Sequence, residues 1–226
     1  MMNFFGLVVT VLFYKLAEVL KRFTVLSKLP PIIIAGAAII VMLECFHINF
    51  ETYNKSASYL TFMLMPATIA LGYPIYKNIE LLKQNKRIIY TAFFAATVFA
   101  IVTTYLTAKF CHADLCVIES MLPKSVTAPI AVEISKNIGG IPELTACVVV
   151  LTGVFGGMFG HKILELVRIK NDIAIGLSIG AASHVVGTAR CVEKGNEKQI
   201  VMASLALVIV GVLTAIAAPV FLHLIK

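Results

Sequence analysis

Long apolar runs, separated by short polar or basic stretches, make up most of this sequence. Most approach the roughly 20 residues that a helix needs to cross a hydrocarbon core about 30 Å thick. Apolar and polar residues do not alternate within them, so the pattern favours helices over the strands of a membrane β-barrel. The eight predicted segments cover residues 4–20, 32–47, 59–76, 88–108, 115–140, 144–164, 173–189 and 200–224. We therefore predict an all-α polytopic membrane protein with seven or eight hydrophobic segments.

The segments are expected to form one integral membrane domain over residues 1–226. Its halves, roughly 1–109 and 110–226, resemble repeats, because both contain an apolar segment interrupted by two prolines. Paired interruptions of this kind are typical of transporters built from internal repeats.

Composition supports the membrane assignment. Of the 226 residues, 59% are hydrophobic and 14% are charged, whereas a soluble domain carries about a quarter charged residues. The net charge of +7 comes from basic residues lying between the apolar runs, which excludes a nucleic-acid-binding patch and indicates membrane topology instead.

The positive-inside rule places the first loop in the cytoplasm, but the basic cluster at 162–170 disagrees with eight full crossings. The disagreement disappears if the fifth segment enters and leaves on one side. We therefore expect some of the third, fifth and seventh segments to be re-entrant or broken, and the sequence does not decide which.

The two interrupted segments carry the most informative chemistry. Pro66 and Pro74 flank Thr68, and Pro123 and Pro129, starting 57 residues later, flank Ser125 and Thr127. A break at membrane depth can present a helix N-terminus, whose free amides and positive dipole end bind anions. The alternative is that the prolines only kink packed helices and the hydroxyls bond to their own backbone.

The seventh segment adds further polar groups at 183–190, in a stretch rich in small residues. His184 is either a satisfied hydrogen-bond partner or a proton relay, and Arg190 is either a topology anchor or a counter-ion for substrate. Lys124 needs a partner, a cavity or an interface, because a charge within the bilayer is costly. The predicted substrate-binding residues are Thr68, Lys124, Ser125, Thr127, Ser183, His184, Thr188 and Arg190.

Motifs of enzymes and of metal or cofactor sites are missing from the sequence. The five cysteines are scattered without a CxxC pair, and there is no GxSxG, HExxH or Walker loop. We expect no enzyme activity, no catalytic residue, no metal and no cofactor. The glycines of 153–160 predict a face for close helix packing.

Four strings resemble the signature blocks of the LrgB/CidB family of bacterial membrane proteins, in order and over nearly the whole chain. They are MPATIALGYPIY at 65–76, LPKSVTAPIA at 122–131, IGGIPELTA at 138–146 and ASHVVGTAR at 182–190. Gly72 and Tyr73 stand where the family usually has alanine and valine, a departure that concerns local packing more than function.

The resemblance implies two competing functions. One is an antiholin-like regulator of murein hydrolase activity and cell lysis that works with a small LrgA/CidA-type membrane protein. The other is carriage of small carboxylates, since relatives are linked to glycolate and glycerate in plastids and to pyruvate in bacteria. The chain lacks the fused A-like part and the transit peptide of the plastid relative, so we expect a separate A-type partner and a plasma-membrane location.

Our prediction from the interrupted segments is a carrier for a pyruvate-, glycolate- or glycerate-like acid. The expected partners are the acid, the lipid bilayer and the A-type protein; self-association is also compatible with the sequence, and no nucleic acid is expected. A purely structural assembly subunit is the third alternative, and it predicts continuous helices with no cavity between them.

Overall fold

The computed structural model describes residues 4–23, 31–70, 72–77, 79–84 and 86–225. These residues are all helical apart from turns, which confirms the predicted fold class. The helices are α1 (Phe5–Phe23), α2 (Pro31–Cys45), α3 (Phe50–Ala70), α4 (Gly72–Lys77), α5 (Ile79–Gln84), α6 (Lys86–Phe110), α7 (Leu115–Met121), α8 (Ala128–Ile138), α9 (Pro142–Leu166), α10 (Asp172–Lys194) and α11 (Glu197–Ile225). The chain divides into two compact units, Met1–Ala70 and Leu71–Lys226.

In the first unit, α1 packs against both α2 and α3. The Gly6 amide donates to the Ser56 hydroxyl at 2.7 Å, and the hydroxyls of Thr10 and Tyr53 are 2.7 Å apart. A side chain at position 6 would overlap the Tyr53 carbonyl, so glycine is what allows α1 and α3 to lie this close.

The third segment is not interrupted at Pro66, because α3 continues through this residue to Ala70. A proline removes only the hydrogen bond to the carbonyl four residues earlier. Pro66 is exposed and lies little more than one turn before the end of α3, so few backbone groups are affected.

Within the described residues, four helices are long and apolar enough to cross a membrane: α6 from Ile89, α9, α10 and α11. The α2 helix is apolar but shorter. The chain is thus a helical membrane protein, while the predicted count of seven or eight segments and the division into halves 1–109 and 110–226 are not confirmed.

Helix α10 folds back on itself at His184, where φ is 41° and ψ is −132°. A straight helix of 23 residues would separate its ends by about 33 Å. Instead, Asp172 at its start accepts a hydrogen bond at 2.8 Å from the side-chain amide of Gln199. The chain from Lys194 at the end of α10 to Gln199 is five residues long and spans at most about 18 Å. The arms 172–183 and 185–194 therefore form a hairpin whose tip is His184.

Packing inside α10 agrees with this hairpin, since a side chain at Gly187 would meet Ile179, eight residues earlier, at 2.9 Å. By length and apolar character alone α10 could cross a membrane, but its backbone folds it into a hairpin. The seventh segment is thus broken, as the sequence allowed.

The fifth segment folds back in the same way. The Ile141 amide donates to the Ser120 hydroxyl at 2.7 Å, although 21 residues of helix would span roughly 30 Å. Turn hydrogen bonds from Lys124 to Met121 and from Val126 to Pro123 extend the entering arm beyond α7. The chain then reverses at Thr127, and α8 returns.

The two hairpins lie beside opposite ends of α9. The arm 172–183 runs antiparallel to α9, because Gly160 packs against Ile179 and Gly156 packs against Ser183. The same arm runs parallel to α11, because Gly176 packs against Gln199 and Gly180 packs against Ala203. Hairpin α7–α8 adjoins the beginning of α9, and hairpin α10 adjoins its end. A hairpin followed by a long helix therefore occurs twice within 115–225, and the long helices α9 and α11 run in opposite directions.

Candidate functional site

A cavity of about 550 Å³ lies where the break between α7 and α8 meets α9 and the first arm of α10. This volume falls within the range of small-molecule sites. Its lining is mainly apolar, with four polar side chains: Lys124, Thr152, Ser178 and Ser183. The exposed side chains of Leu151, Phe155 and Ile163 also line it, so the cavity opens to the outside of the unit.

Glycines on α9 allow the α10 hairpin to pack closely against this helix beside the cavity. A side chain at Gly156 would overlap the Ser183 hydroxyl, and one at Gly153 would lie 2.5 Å from the His184 ring. A side chain at Gly160 would lie 2.6 Å from Ile179. The close-packing face predicted from 153–160 is confirmed, with the first arm of α10 as its partner.

His184 forms the tip of the α10 hairpin and is buried. Its Nε2 lies 2.9 Å from the Val149 carbonyl oxygen, near the middle of α9. A non-glycine residue at this φ and ψ is strained by about 1–3 kcal/mol. The hydrogen bond to Val149 and the space left by Gly153 hold the tip in place, and Thr188 donates to the His184 carbonyl at 2.9 Å.

Thr127 forms the turn of the other hairpin and precedes the first residue of α8. It is only 6% exposed, and its hydroxyl oxygen has no hydrogen-bond partner. Its side chain does not cap α8, and Pro129 in the first turn has no amide hydrogen to donate. The Thr127 hydroxyl is therefore a buried polar group without a hydrogen-bond partner at the turn of this hairpin.

Lys124 is half-buried in the break and belongs to none of the spanning helices. Within the described part of the chain, no acidic side chain lies within ion-pair distance of its ammonium group. A carboxylate entering the cavity would supply the missing counter-charge.

The cavity brings together only Lys124 and Ser183 of the predicted site residues. Ser125 and Thr127 are buried one to three positions beyond Lys124 and do not line it. Arg190 is exposed and pairs with Glu193 on the second arm of α10. The backbone of Thr68 lies in α3, and its side chain is outside the described residues.

Sequence reasoning missed Thr152 and Ser178. Thr152, Gly156 and Gly160 are spaced four residues apart and share one face of α9, a signal that could have identified the threonine. Ser178 lies one turn before Ala182, which also lines the cavity. Among the described residues, no group of three His, Cys, Asp or Glu side chains could hold a metal ion.

The sequence matches the LrgB-like family over residues 10–224. It is 36% identical over 223 residues to antiholin-like protein LrgB of Bacillus mycoides, an alignment that covers 98% of this chain and 96% of the relative. Antiholin-like protein LrgB of Bacillus cereus and of Bacillus anthracis are each 35% identical, with the same coverage. No solved structure matches the chain.

Proposed function

The chain belongs to the LrgB-like family, and we propose that it carries a small carboxylate across the membrane. The observation that supports this most directly is the cavity between the two oppositely oriented hairpins, with Lys124 and Ser183 on its wall. Transporter substrate sites lie where inverted repeats meet and their helices break.

The cavity chemistry suits a small anion. A carboxylate would form a charge-assisted hydrogen bond with Lys124, contributing about 1.5–3 kcal/mol, and neutral bonds with hydroxyls at Thr152, Ser178 and Ser183, each about 0.5–1.5 kcal/mol. After the costs of ordering and desolvation, micromolar to millimolar affinity remains. A carrier needs such an affinity because it must release its substrate.

The second candidate is the antiholin-like regulator of murein hydrolase activity, and the names of the relatives support it more directly than they support carriage. The two candidates are compatible, because a change in metabolite flux can alter lysis indirectly. We further propose an LrgA/CidA-type protein as partner and the plasma membrane as the location.

Uptake by proteoliposomes tests the carrier. The purified chain is reconstituted alone and with an A-type protein, and uptake of labelled pyruvate, glycolate and glycerate is compared with that of protein-free liposomes. Saturable uptake of at least one acid in either preparation is the expected result. No saturable uptake in either, together with partner-dependent release of murein hydrolase in cells, would favour the regulator and contradict the carrier.

A further inference from the structure

A partly buried polar network lies at the base of the α10 hairpin, away from the residues that line the cavity. His161 Nε2 on α9 is 3.2 Å from Gln199 Oε1 on α11, and Gln199 Nε2 donates to Asp172 Oδ1 on α10 at 2.8 Å. One network thus joins the start of the α10 hairpin to α9 and α11.

The network fixes which nitrogen of His161 carries hydrogen. A carboxylate only accepts hydrogen bonds, so the Asp172 contact orients the Gln199 amide with its NH2 group outward and its oxygen toward His161. Gln199 Oε1 also only accepts, so His161 must donate from Nε2. In the neutral ring, Nδ1 then holds the basic lone pair.

That lone pair has no partner. His161 is 8% exposed, and its Nδ1 is buried without a hydrogen bond. Buried polar atoms in native proteins nearly always have a partner. Because Nε2 already donates its hydrogen to Gln199, the unpaired Nδ1 is the nitrogen that can accept a proton.

We propose that Nδ1 of His161 binds and releases the proton that accompanies the carboxylate, so that acid and proton move together. The inference rests on the proposed carrier function. A hydronium ion from the aqueous phase transfers its proton to Nδ1, giving an imidazolium with charge +1; release on the other side restores the neutral ring. With a monocarboxylate in the cavity, the pair is electrically neutral, which reduces the cost of moving charge through lipid.

Charged residues lie on the elements packed around His161. Glu165 follows it by about one turn on α9, and Arg190 and Lys194 lie on the returning arm of α10. Lys194 lies 3.8 Å from Glu165, and Asp172 is reached only through Gln199. Protonation of His161 therefore adds one positive charge to this group of charges at the base of the hairpin.

Nitrogen-15 NMR of histidine in the intact protein tests the site without any transport. The spectrum is followed between about pH 5 and 8, the range in which histidine normally titrates, and the His161 signal is assigned with His161→Gln. Nδ1 is expected to gain a proton while Nε2 keeps its own. A ring that remains neutral throughout, or one whose neutral form carries hydrogen on Nδ1, would overturn the proposal.

Proton movement during acid uptake tests the coupling. Proteoliposomes containing an internal pH dye receive an inward gradient of the acid, with protein-free liposomes as the baseline. Wild type and His223→Gln, in which an exposed histidine near the end of α11 is replaced, should acidify the lumen; His161→Gln should lose most of this signal.

Acidification by His161→Gln equal to wild type overturns the proposal. Saturable acid uptake without any acidification in wild type overturns it too, while leaving the carrier function intact. Absence of saturable uptake by wild type instead contradicts the carrier function itself.

Discussion

Ser183 and Gly156 illustrate how single residues shape the candidate site. The Ser183 hydroxyl occupies the space that a side chain at position 156 would need, so the glycine both seats the hairpin and leaves the serine facing the cavity. The sequence indicated that both residues belong to close-packed segments. It could not pair them, because contact between residues 27 positions apart depends on the fold of the whole hairpin.

Gly156→Ala should therefore destabilise the protein. The new methyl group would also lie 2.6 Å from Ser183 Cβ, and overpacking of this kind costs about 1–3 kcal/mol. Thermal unfolding in detergent measures the effect. Gly36→Ala in α2, where nothing lies within 4 Å of the new atom, should be neutral or slightly stabilising; equal losses for both variants would contradict the packing.

At the tip, His184→Gly should be more stable than His184→Ala. Both variants lose the hydrogen bond to Val149. The φ of 41° at this position is unfavourable for alanine, whereas glycine adopts it without strain. We expect a difference of about 1 kcal/mol or more in the free energy of unfolding. The reverse order would mean that the α10 backbone does not turn at this residue.

Thr127→Val should stabilise the protein. The buried Thr127 hydroxyl has no partner, and an unsatisfied group of this kind costs about 1–3 kcal/mol, which a methyl group of the same shape removes. Thr127→Ser keeps the unpaired hydroxyl and should not gain this stability. Thermal unfolding in detergent compares the variants, and a valine variant that is less stable than wild type would contradict the assignment.

At the scale of elements, the sequence predicted irregular segments more reliably than it located their turns. Segments five and seven are hairpins, as the charge distribution allowed, whereas α3 continues through Pro66. The α10 hairpin turns at His184 without any proline. Proline marks a missing hydrogen-bond donor, but whether the chain reverses depends on the packing of neighbouring helices, which one sequence does not show.

The α10 hairpin predicts that positions 170 and 194 lie on one side of the membrane. Lys170→Cys and Lys194→Cys, each in a cysteine-free background, should react with an impermeant maleimide added to the same face. Glu143→Cys and Glu165→Cys flank the crossing helix α9 and should react from opposite faces. Labelling of positions 170 and 194 from opposite faces would show that α10 crosses the membrane and would contradict the hairpin.

At the scale of the whole molecule, the membrane class and the family could be predicted from composition and four short motifs. The boundaries of the two similar units could not be predicted. The expected halves 1–109 and 110–226 rest on the spacing of prolines, but α3 continues through Pro66 and the α10 hairpin turns at His184. The geometry instead gives a hairpin and a long helix twice within 115–225. Both hairpins end in a glycine with positive φ, Gly139 and Gly195, and these two residues are 56 positions apart.

This arrangement makes Lys124 the central residue of the proposed site, because it is the cation that lines the cavity between the two hairpins. Binding of a labelled monocarboxylate to the purified protein is the most direct test. Lys124→Gln should weaken binding roughly 10- to 100-fold, the equivalent of one charge-assisted hydrogen bond, while Lys136→Gln, which changes an exposed lysine paired with Glu133, should bind like wild type. Equal affinity of wild type and Lys124→Gln would contradict the proposed site.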